Sequence, residues 1–253
     1  MAEGFDPEER FSEHAAYYAK NRPRYPVEIL RYLESELSFS CVSTVADVGS
    51  GTGIFSEMLL KNGNTVFGIE PNQEMRKIAE AILSTYPNFR SINGTAESTT
   101  LPDQSVDFIT AAQSFHWFDL PRTKPEFRRI LRQNGWVVLV WNTRRTSTPF
   151  LQAYEQLLSE APIVSRRVRH EDINEQTLRS FLGKFREVKL WNYQDLDYQG
   201  LVGRLLSASY APLPGDPYYA DVIAKLREIF ERHEIEGLVR FEHVTELFAG
   251  QLS

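Results

Sequence analysis

A glycine-rich turn after the first apolar run is the stretch of this 253-residue chain whose residue types best suit ligand binding. It reads ADVGSGTG over residues 46–53, with glycines at positions 49, 51 and 53. A phosphate-binding loop needs a lysine after its glycines, but Ile54 stands there. A dinucleotide loop needs a glycine at the sixth position counted from Gly49, which is again Ile54. The spacing therefore excludes a phosphate loop and weakens a dinucleotide site without eliminating it.

Two carboxylates accompany the turn, because Asp47 precedes Gly49 by two residues and Glu70 ends the next apolar run. A dinucleotide would bring its doubly negative pyrophosphate beside Asp47, and like charges in a poorly solvated crevice are costly. S-adenosylmethionine instead carries an ammonium and a sulfonium group, and its ribose needs an acid such as Glu70 to accept both hydroxyls. The two acids therefore favour S-adenosylmethionine. The alternative is that Asp47 only organises the loop and that Glu70 only favours a helix start.

The elements that must position these residues alternate regularly over the first 142 residues. Apolar runs predict five strands, at 42–48, 65–70, 89–92, 105–113 and 136–142. A helical pattern follows Gly53, Asn72 is a suitable N-cap for the next helix, and a helix over 119–134 is expected to end at Gly135. Strand and helix alternate five times, which predicts an α/β fold with a doubly wound parallel sheet.

The pattern changes after Asn142. It predicts helices at 150–161 and 171–183, a strand at 187–193, a helix at 196–209, a helix around 222–230 and a last strand at 239–248. The expected fold is a Rossmann-like, mostly parallel sheet of seven strands with helices on both faces. We expect one domain over 1–253, divided into an N-terminal cap (1–40), a cofactor-binding core (41–142), a helical lid after strand five (143–185) and a C-terminal part that completes the sheet (186–253).

Composition narrows the choice of partners. A net charge of -6 argues against a nucleic acid, because binding many phosphates needs a basic surface. The single cysteine, Cys41, excludes a disulfide framework and a two-thiol metal cluster, so no metal is expected. The longest apolar run, WVVLVW, is too short to cross a bilayer. We therefore expect a cytoplasmic protein without a membrane partner, either a monomer or a homodimer, that acts on a small molecule.

Four stretches of the chain resemble the motifs of the class I S-adenosylmethionine-dependent methyltransferases. VADVGSGTG is similar to the first motif, VFGIEPNQEM to the second, NGTAESTTLPDQSVDFITAAQSFHWFD to the third and fourth, and ILRQNGWVVLVWN to the approach to strand five. Within this family the chain resembles small-molecule enzymes of the trans-aconitate methyltransferase type. Their N-terminal YxxxRPxYP pattern appears here as YAKNRPRYP, from Tyr18 to Pro26.

The resemblance implies a set of cofactor contacts: Asp47, Gly49, Gly51, Glu70, Ala96, Glu97 and Gln113. The two glycines would let the backbone approach the methionine part, Asp47 would contact or orient its amino group, and Glu70 would bind the ribose. Ala96 and Glu97 would flank the adenine, and Gln113 would lie under the methionine end. Thr95 stands where many relatives have an aspartate, so this chain departs from the family pattern beside the adenine.

The segment before the first strand adds two candidates for the same ligand. Arg22 could pair with the cofactor's carboxylate through its planar guanidinium group. Tyr18 could close over the same end of the ligand. The alternative is a surface arm that docks through its aromatic side chains and leaves Arg22 solvated.

The substrate side of the predicted site contains aromatic and basic residues. His116 could act as a base for a hydroxyl acceptor, and the alternative is a hydrogen-bonded structural histidine. Trp117 and Trp141 could face the sulfonium group, although ordinary core packing would explain them equally well. Arg144 and Arg167 belong to a group of arginines after strand five that could recognise an anionic acceptor. Solvated helix ends are the alternative for these arginines.

These observations predict an enzyme that moves the methyl group of S-adenosylmethionine to a small molecule. The favoured acceptor atom is an oxygen of an organic acid, either a carboxylate or a hydroxyl. Two alternatives stay open at this point: a nicotinamide (NAD)-dependent oxidoreductase, and a non-catalytic protein that binds the cofactor or a partner.

Overall fold

Seven strands form one sheet in the computed structural model, which describes residues 21–160, 173–208, 211–212 and 214–252. The strands are β1 (Thr44–Val48), β2 (Thr65–Ile69), β3 (Phe89–Ile92), β4 (Val106–Ala112), β5 (Leu131–Arg144), β6 (Phe185–Leu196) and β7 (Val239–Gly250). Eight helices accompany them over the described residues: α1 (Glu28–Leu37), α2 (Ile54–Lys61), α3 (Gln73–Ile82), α4 (Leu120–Ile130), α5 (Pro149–Glu160), α6 (Glu175–Leu182), α7 (Tyr198–Leu206) and α8 (Tyr219–His233).

The sheet order is β3-β2-β1-β4-β5-β7-β6. Strand β1 pairs in parallel with β2 and β4, and the outer pairs β2 with β3 and β4 with β5 are also parallel. The order reverses at β1 and β4, and the carboxyl ends of these strands are where open α/β sheets bind ligands. The predicted Rossmann-like, mostly parallel seven-stranded fold is confirmed.

Two apolar clusters cover the two faces of this sheet. Successive residues of β5 alternate between them, since Val137 and Leu139 belong to one cluster and Val138 and Val140 to the other. The first cluster includes residues of α4 and α6, and the second includes residues of α1 and α2. Helices therefore lie on both faces, as the sequence predicts.

Helix α4 departs from its predicted bounds. It ends at Ile130, and β5 begins directly at Leu131, so Gly135 lies inside the strand and does not end the helix. The pairing of β4 with β5 shifts register between Val106 and Phe108. A Cβ added to Gly135 would lie 2.9 Å from the carbonyl oxygen of Asp107. The close approach of two strands therefore explains the glycine. In the sequence alone, such a glycine cannot be told from one that ends a helix.

The described residues divide into two compact units, which we call the larger and the smaller unit. The larger unit contains 24–142, 173–190 and 245–252, and the smaller unit contains 21–23, 143–160, 191–208, 211–212 and 214–244. The division after Asn142 coincides with the predicted boundary between core and lid. Two helices lie outside the parts predicted for them. Helix α1 of the predicted cap and helix α6 of the predicted lid both pack into the larger unit.

The smaller unit has its own apolar core. It is formed by α5, α7, α8 and the start of β7, and its largest fully buried side chains are Tyr154 and Phe241. Their rings meet edge to face with centroids 5.0 Å apart. No helix among the described residues is long and apolar enough to cross a membrane.

The N-cap of α3 provides a test of local stability. The side chain of Asn72 accepts a hydrogen bond from the backbone N–H of Met75 at 3.0 Å, as the sequence predicts. We expect Asn72→Ala to lower the free energy of unfolding by about 1 kcal/mol, because a backbone donor loses its partner. Urea denaturation measures this change, and Gln73→Ala, an exposed neighbour in the same helix, is the control. Equal stability of the two variants would contradict the capping role.

Candidate functional site

The glycine turn begins directly after β1 and requires glycine at three positions. The φ angles of Gly49, Gly51 and Gly53 are 68°, 55° and 84°, in the left-handed region that other residues rarely adopt. A Cβ at Gly49 would lie 2.4 Å from the Cβ of Ser114, so a side chain has no room there. A Cβ at Gly51 would meet no heavy atom of the described residues within 4 Å. The turn therefore exposes its backbone to an open space at Gly51.

Neighbouring strand ends hold the turn in place. The backbone N–H groups of Gly49 and Ser50 both donate to the carbonyl oxygen of Ile69 in β2, at 2.8 and 3.1 Å. The hydroxyl of Ser114, which follows β4, donates to the carbonyl oxygen of Val48 at 2.7 Å. The turn is consequently tied to both neighbours of β1 before any ligand binds.

Asp47 lies at the end of β1 and is 1% exposed. Its two carboxylate oxygens accept hydrogen bonds from Ser56 Oγ of α2 at 2.6 Å and from Thr110 Oγ1 of β4 at 2.8 Å. Burial raises the pKa of Asp47 to about 6, the charge of Glu70 adds to the rise, and the two hydroxyl donors oppose it. The carboxylate thus connects β1, α2 and β4. A cation beside it would stabilise its ionised form, which burial disfavours.

Glu70 follows β2 and bends back toward the glycine turn. Its Oε2 accepts from the backbone N–H of Gly51 at 2.9 Å, and its Oε1 accepts from that of Asn72 at 2.9 Å. Burial raises the pKa of Glu70, although these two donors and the charge of Arg76 oppose the rise. Each carboxylate oxygen can accept more than one hydrogen bond, so the group retains capacity for ligand hydroxyls.

Gln113 directly follows β4 and has a φ of 63°, which is uncommon for a residue with a side chain. Its backbone N–H donates to the carbonyl oxygen of Val140 at 2.9 Å, and its Nε2 lies 3.4 Å from the carbonyl oxygen of Asn142. Thr245 Oγ1 hydrogen-bonds Asn142 Oδ1 at 2.5 Å. The contact of Gln113 with a ligand stays a prediction.

The predicted adenine residues lie in a tight turn after β3. The backbone groups of Thr95 and Ser98 bond each other, and Ala96 between them is buried. Glu97 Oε1 accepts from the backbone N–H of Asp119 at 2.9 Å, at the start of α4. Although burial raises the pKa of Glu97, the hydrogen bonds, led by that from Asp119, leave it below its usual value. The structure therefore gives Glu97 a helix-capping contact, and its contact with adenine stays a prediction.

The aromatic stretch after β4 separates into buried and exposed residues. Phe115 is fully buried and packs edge-on against Trp141 and Phe181, with ring centroids 6.1 and 4.9 Å apart. Trp141 is 3% exposed and belongs to the core of the larger unit. His116 is half-buried and Trp117 is 59% exposed, and their rings lie 5.1 Å apart. Of these side chains, Trp117 and His116 remain accessible to a ligand.

The remaining predicted residues belong to the smaller unit or lie outside the described residues. Arg22 donates to the carbonyl oxygen of Ser207 through Nε and Nη2, at 3.2 and 2.8 Å. Arg144 forms an ion pair with Glu155 and lies over the ring of Tyr154. Tyr18 and Arg167 fall outside the described residues, so their predicted roles stay predictions.

The polar residues that support Asp47 and the glycine turn were missed by sequence reasoning. They are Ser56, Thr110 and Ser114. A signal exists for two of them, because Thr110 interrupts the apolar run of β4 and Ser56 interrupts the apolar start of α2. Their partners come from other elements, so only the folded chain shows what they bind.

The residues present suit an adenosyl ligand with a cationic end. Thr52 Oγ1 is buried in the glycine turn without a hydrogen-bond partner among the described residues. Buried polar atoms are rarely left in this way, which indicates a missing partner at the turn. Three further features lie around the turn: the open space at Gly51, the carboxylate of Glu70 and the buried carboxylate of Asp47. Sheet order, turn and strand-end acids together define an α/β fold of the nucleoside-binding class.

Comparisons with known proteins show which family model and which relatives the chain is similar to. Residues 46–139 match the family model of the methyltransferase domain. An uncharacterized methyltransferase of Mycobacterium tuberculosis is 37% identical over 134 residues, which cover 53% of this chain and 52% of the relative. A methyltransferase-like protein of Schizosaccharomyces pombe is 31% identical over 159 residues, covering 62% and 60%. The chain spans about half the length of the first of these relatives.

Solved structures share the fold. A protein from Anaeromyxobacter dehalogenans assigned as a type II methyltransferase has a TM-score of 0.69 at 24% identity, covering 91% of this chain and 98% of its own. A methyltransferase from Geobacter sulfurreducens in complex with S-adenosylhomocysteine has a TM-score of 0.53 at 17% identity, covering 97% and 98%. Residues 46–139 therefore match a methyltransferase domain, and these solved structures share the fold of the chain. The closer resemblance to trans-aconitate enzymes stays a prediction.

The environment of Asp47 predicts a pH-dependent stability. Since its pKa in the folded state is about 6, above the ordinary 3.8, folding favours the protonated form. That stabilisation is complete below the unfolded-state pKa and is lost as the pH rises through about 6. We expect Asp47→Asn to melt above the wild type at a pH near 8, and the difference to shrink toward pH 5. Thermal denaturation across this range measures it.

Ser56→Ala is the matched control for this series. It removes a donor that lowers the pKa of Asp47, so the loss of stability with rising pH should become steeper than in the wild type. An Asp47→Asn variant that melts below the wild type over the whole pH range would contradict the interpretation.

Proposed function

We propose that this chain transfers the methyl group of S-adenosylmethionine to a small-molecule acceptor. The observation that carries the proposal is the position of Glu70, whose carboxylate lies beside the open backbone of Gly51 at the end of β2. The proposed cofactor contacts in the larger unit are Asp47, Gly49, Gly51, Thr52, Glu70, Ala96, Glu97 and Gln113. When bound, the cofactor would supply a methyl group already activated by its sulfonium sulfur.

Positioning is the main contribution that we expect from the chain. Asp47 would offset the positive end of the cofactor, and Glu70 would accept hydrogen bonds from the ribose hydroxyls. The strand ends already hold the glycine turn and Glu70 in place, so little ordering is required when the ligand binds. Correct orientation of reacting groups contributes about 7 to 11 kcal/mol in favourable cases, which is enough to make positioning the dominant effect.

The acceptor that we propose is an organic acid. A net charge of -6 disfavours a nucleic acid, and a carboxylate acceptor needs no general base because it has no proton to lose. For a hydroxyl acceptor, His116 is the candidate base, and its half-buried position next to Trp117 leaves it accessible. The single cysteine suits a reducing compartment, so we place the activity in the cytoplasm.

Ligand-induced stabilisation separates this proposal from a nicotinamide-dependent activity. S-adenosylhomocysteine should raise the melting temperature of the full chain in a concentration-dependent manner, because a ligand that binds the folded state stabilises it by mass action. NAD should leave the melting temperature unchanged. Stabilisation by NAD without stabilisation by S-adenosylhomocysteine would overturn the proposal. Binding of S-adenosylhomocysteine without methyl transfer to any acceptor in a broad screen would indicate a non-catalytic role.

Glu70→Gln tests the residue that carries the proposal. The amide presents donors where the ribose hydroxyls need acceptors, so the affinity for S-adenosylhomocysteine should fall about ten- to hundredfold in isothermal titration calorimetry. Glu74→Gln is the control, because it removes the same charge from an exposed ion pair with Lys77. Equal affinities of the two variants would remove Glu70 from the site.

A further inference from the structure

Strand β6 forms one edge of the sheet. It is the last strand in the sheet order, so among the described strands it has a neighbour, β7, on one side only. It is 12 residues long and contains no proline. An edge strand directs every second backbone N–H and C=O group away from its sheet, and natural edges of this kind are usually short, interrupted or covered. The outer edge of β6 is therefore able to pair with a further strand.

Two exposed aromatic side chains lie on one face of β6. They are Trp191 and Tyr193, which are 51% and 49% exposed. The guanidinium carbon of Arg145 lies 4.4 Å from the centroid of the Trp191 ring, and that of Arg240 lies 4.4 Å from the centroid of the Tyr193 ring. Arg240 also donates two hydrogen bonds to Asp195 of β6. Aromatic side chains that are already held in place lose little entropy on binding, so these two suit an interface.

We propose that the β6 edges of two copies of this chain pair in antiparallel orientation about a two-fold axis through Asn192. Such an axis places each residue opposite the one that lies equally far beyond the axis. Trp191 then lies opposite Tyr193 of the second copy, and Lys189 lies opposite Asp195 of the second copy. Each pair occurs twice, so the dimer gains two aromatic pairs and two pairs of opposite charge.

Neighbouring registers fit this edge less well. An axis through Trp191 would place Glu187 directly opposite Asp195 of the second copy, and like charges in that position are destabilising. An axis through Tyr193 would place Trp191 opposite Asp195, so the indole would lose its aromatic partner. The edge is thus best complemented by a second copy of itself, centred on Asn192. This inference does not depend on the proposed methyl transfer.

Sedimentation velocity of the full chain over a range of concentrations tests the dimer. The wild type should shift from monomer to dimer as the concentration rises. Trp191→Glu should raise the dissociation constant about a hundredfold, because each dimer loses two aromatic pairs and gains two carboxylates near Asp195. Tyr218→Glu is the matched control, since Tyr218 is also 51% exposed and precedes α8. It should dimerise as the wild type does.

Two outcomes of this experiment would overturn the proposal. One is a wild type that stays monomeric at every concentration. The other is a dimer that Trp191→Glu weakens no more than Tyr218→Glu does.

Hydrogen exchange of the wild type covers the case in which a variant fails to fold. Pairing protects the outward N–H groups of β6, so deuterium uptake by residues 188–196 should slow as the protein concentration rises. Strand β3, at the opposite edge of the sheet, is the internal control and should exchange at a constant rate. Protection that depends on concentration in β3 and is absent from β6 would overturn the proposal.

A cysteine on the axis tests the register. In a Cys41→Ser background, Asn192→Cys should form a disulfide-linked dimer on oxidation, because a residue on the axis faces its own copy with Cβ atoms about 4.5 to 5.5 Å apart. Glu231→Cys, on the exposed surface of α8, should form no comparable cross-link. A dimer in which Asn192→Cys does not cross-link, or cross-links no faster than Glu231→Cys, would overturn the pairing about Asn192.

Discussion

The larger unit depends on one buried carboxylate. Asp47 accepts hydrogen bonds from α2 and β4 while standing at the end of β1, so it connects the three elements around the point where the strand order reverses. Burial raises its pKa to about 6, which means that its ionised form disfavours the folded state at neutral pH. A cationic ligand beside it would reverse this effect. The carboxylate that the fold buries is thus also the group that we propose for the positively charged end of the cofactor.

The family match lies in the larger unit and does not extend to the smaller unit. The family match covers residues 46–139, which lie within the larger unit and contain the glycine turn, Glu70 and Gln113. The described residues of the smaller unit all lie outside the matched range. The family match therefore contains the main residues of the proposed cofactor site. For residues outside this range, a role has to be argued from their own contacts.

Sequence reasoning predicted elements well where the signal is local and strong. Strand β3 has its predicted bounds, and Asn72 caps α3 as expected, because apolar runs and capping residues act over a few positions. Gly135 shows the limit of such reasoning. A glycine after a helical pattern suggested a helix end, whereas its actual cause is the close approach of Asp107 on another strand. The same limit applies to Trp141, which is buried in the core by Phe115 and Phe248.

The sequence by itself determined the alternation of strands and helices, the glycine turn and the two acids at strand ends. These features depend on residue type and on spacing along the chain, and both can be observed in the sequence. Only the tertiary structure decided which hydroxyls bind Asp47 and which carbonyl oxygen accepts from Arg22. Ser56 and Thr110 are separated by 54 positions, and Arg22 and Ser207 by 185. Contacts over such separations are set by how the elements pack, and local patterns contain no information about them.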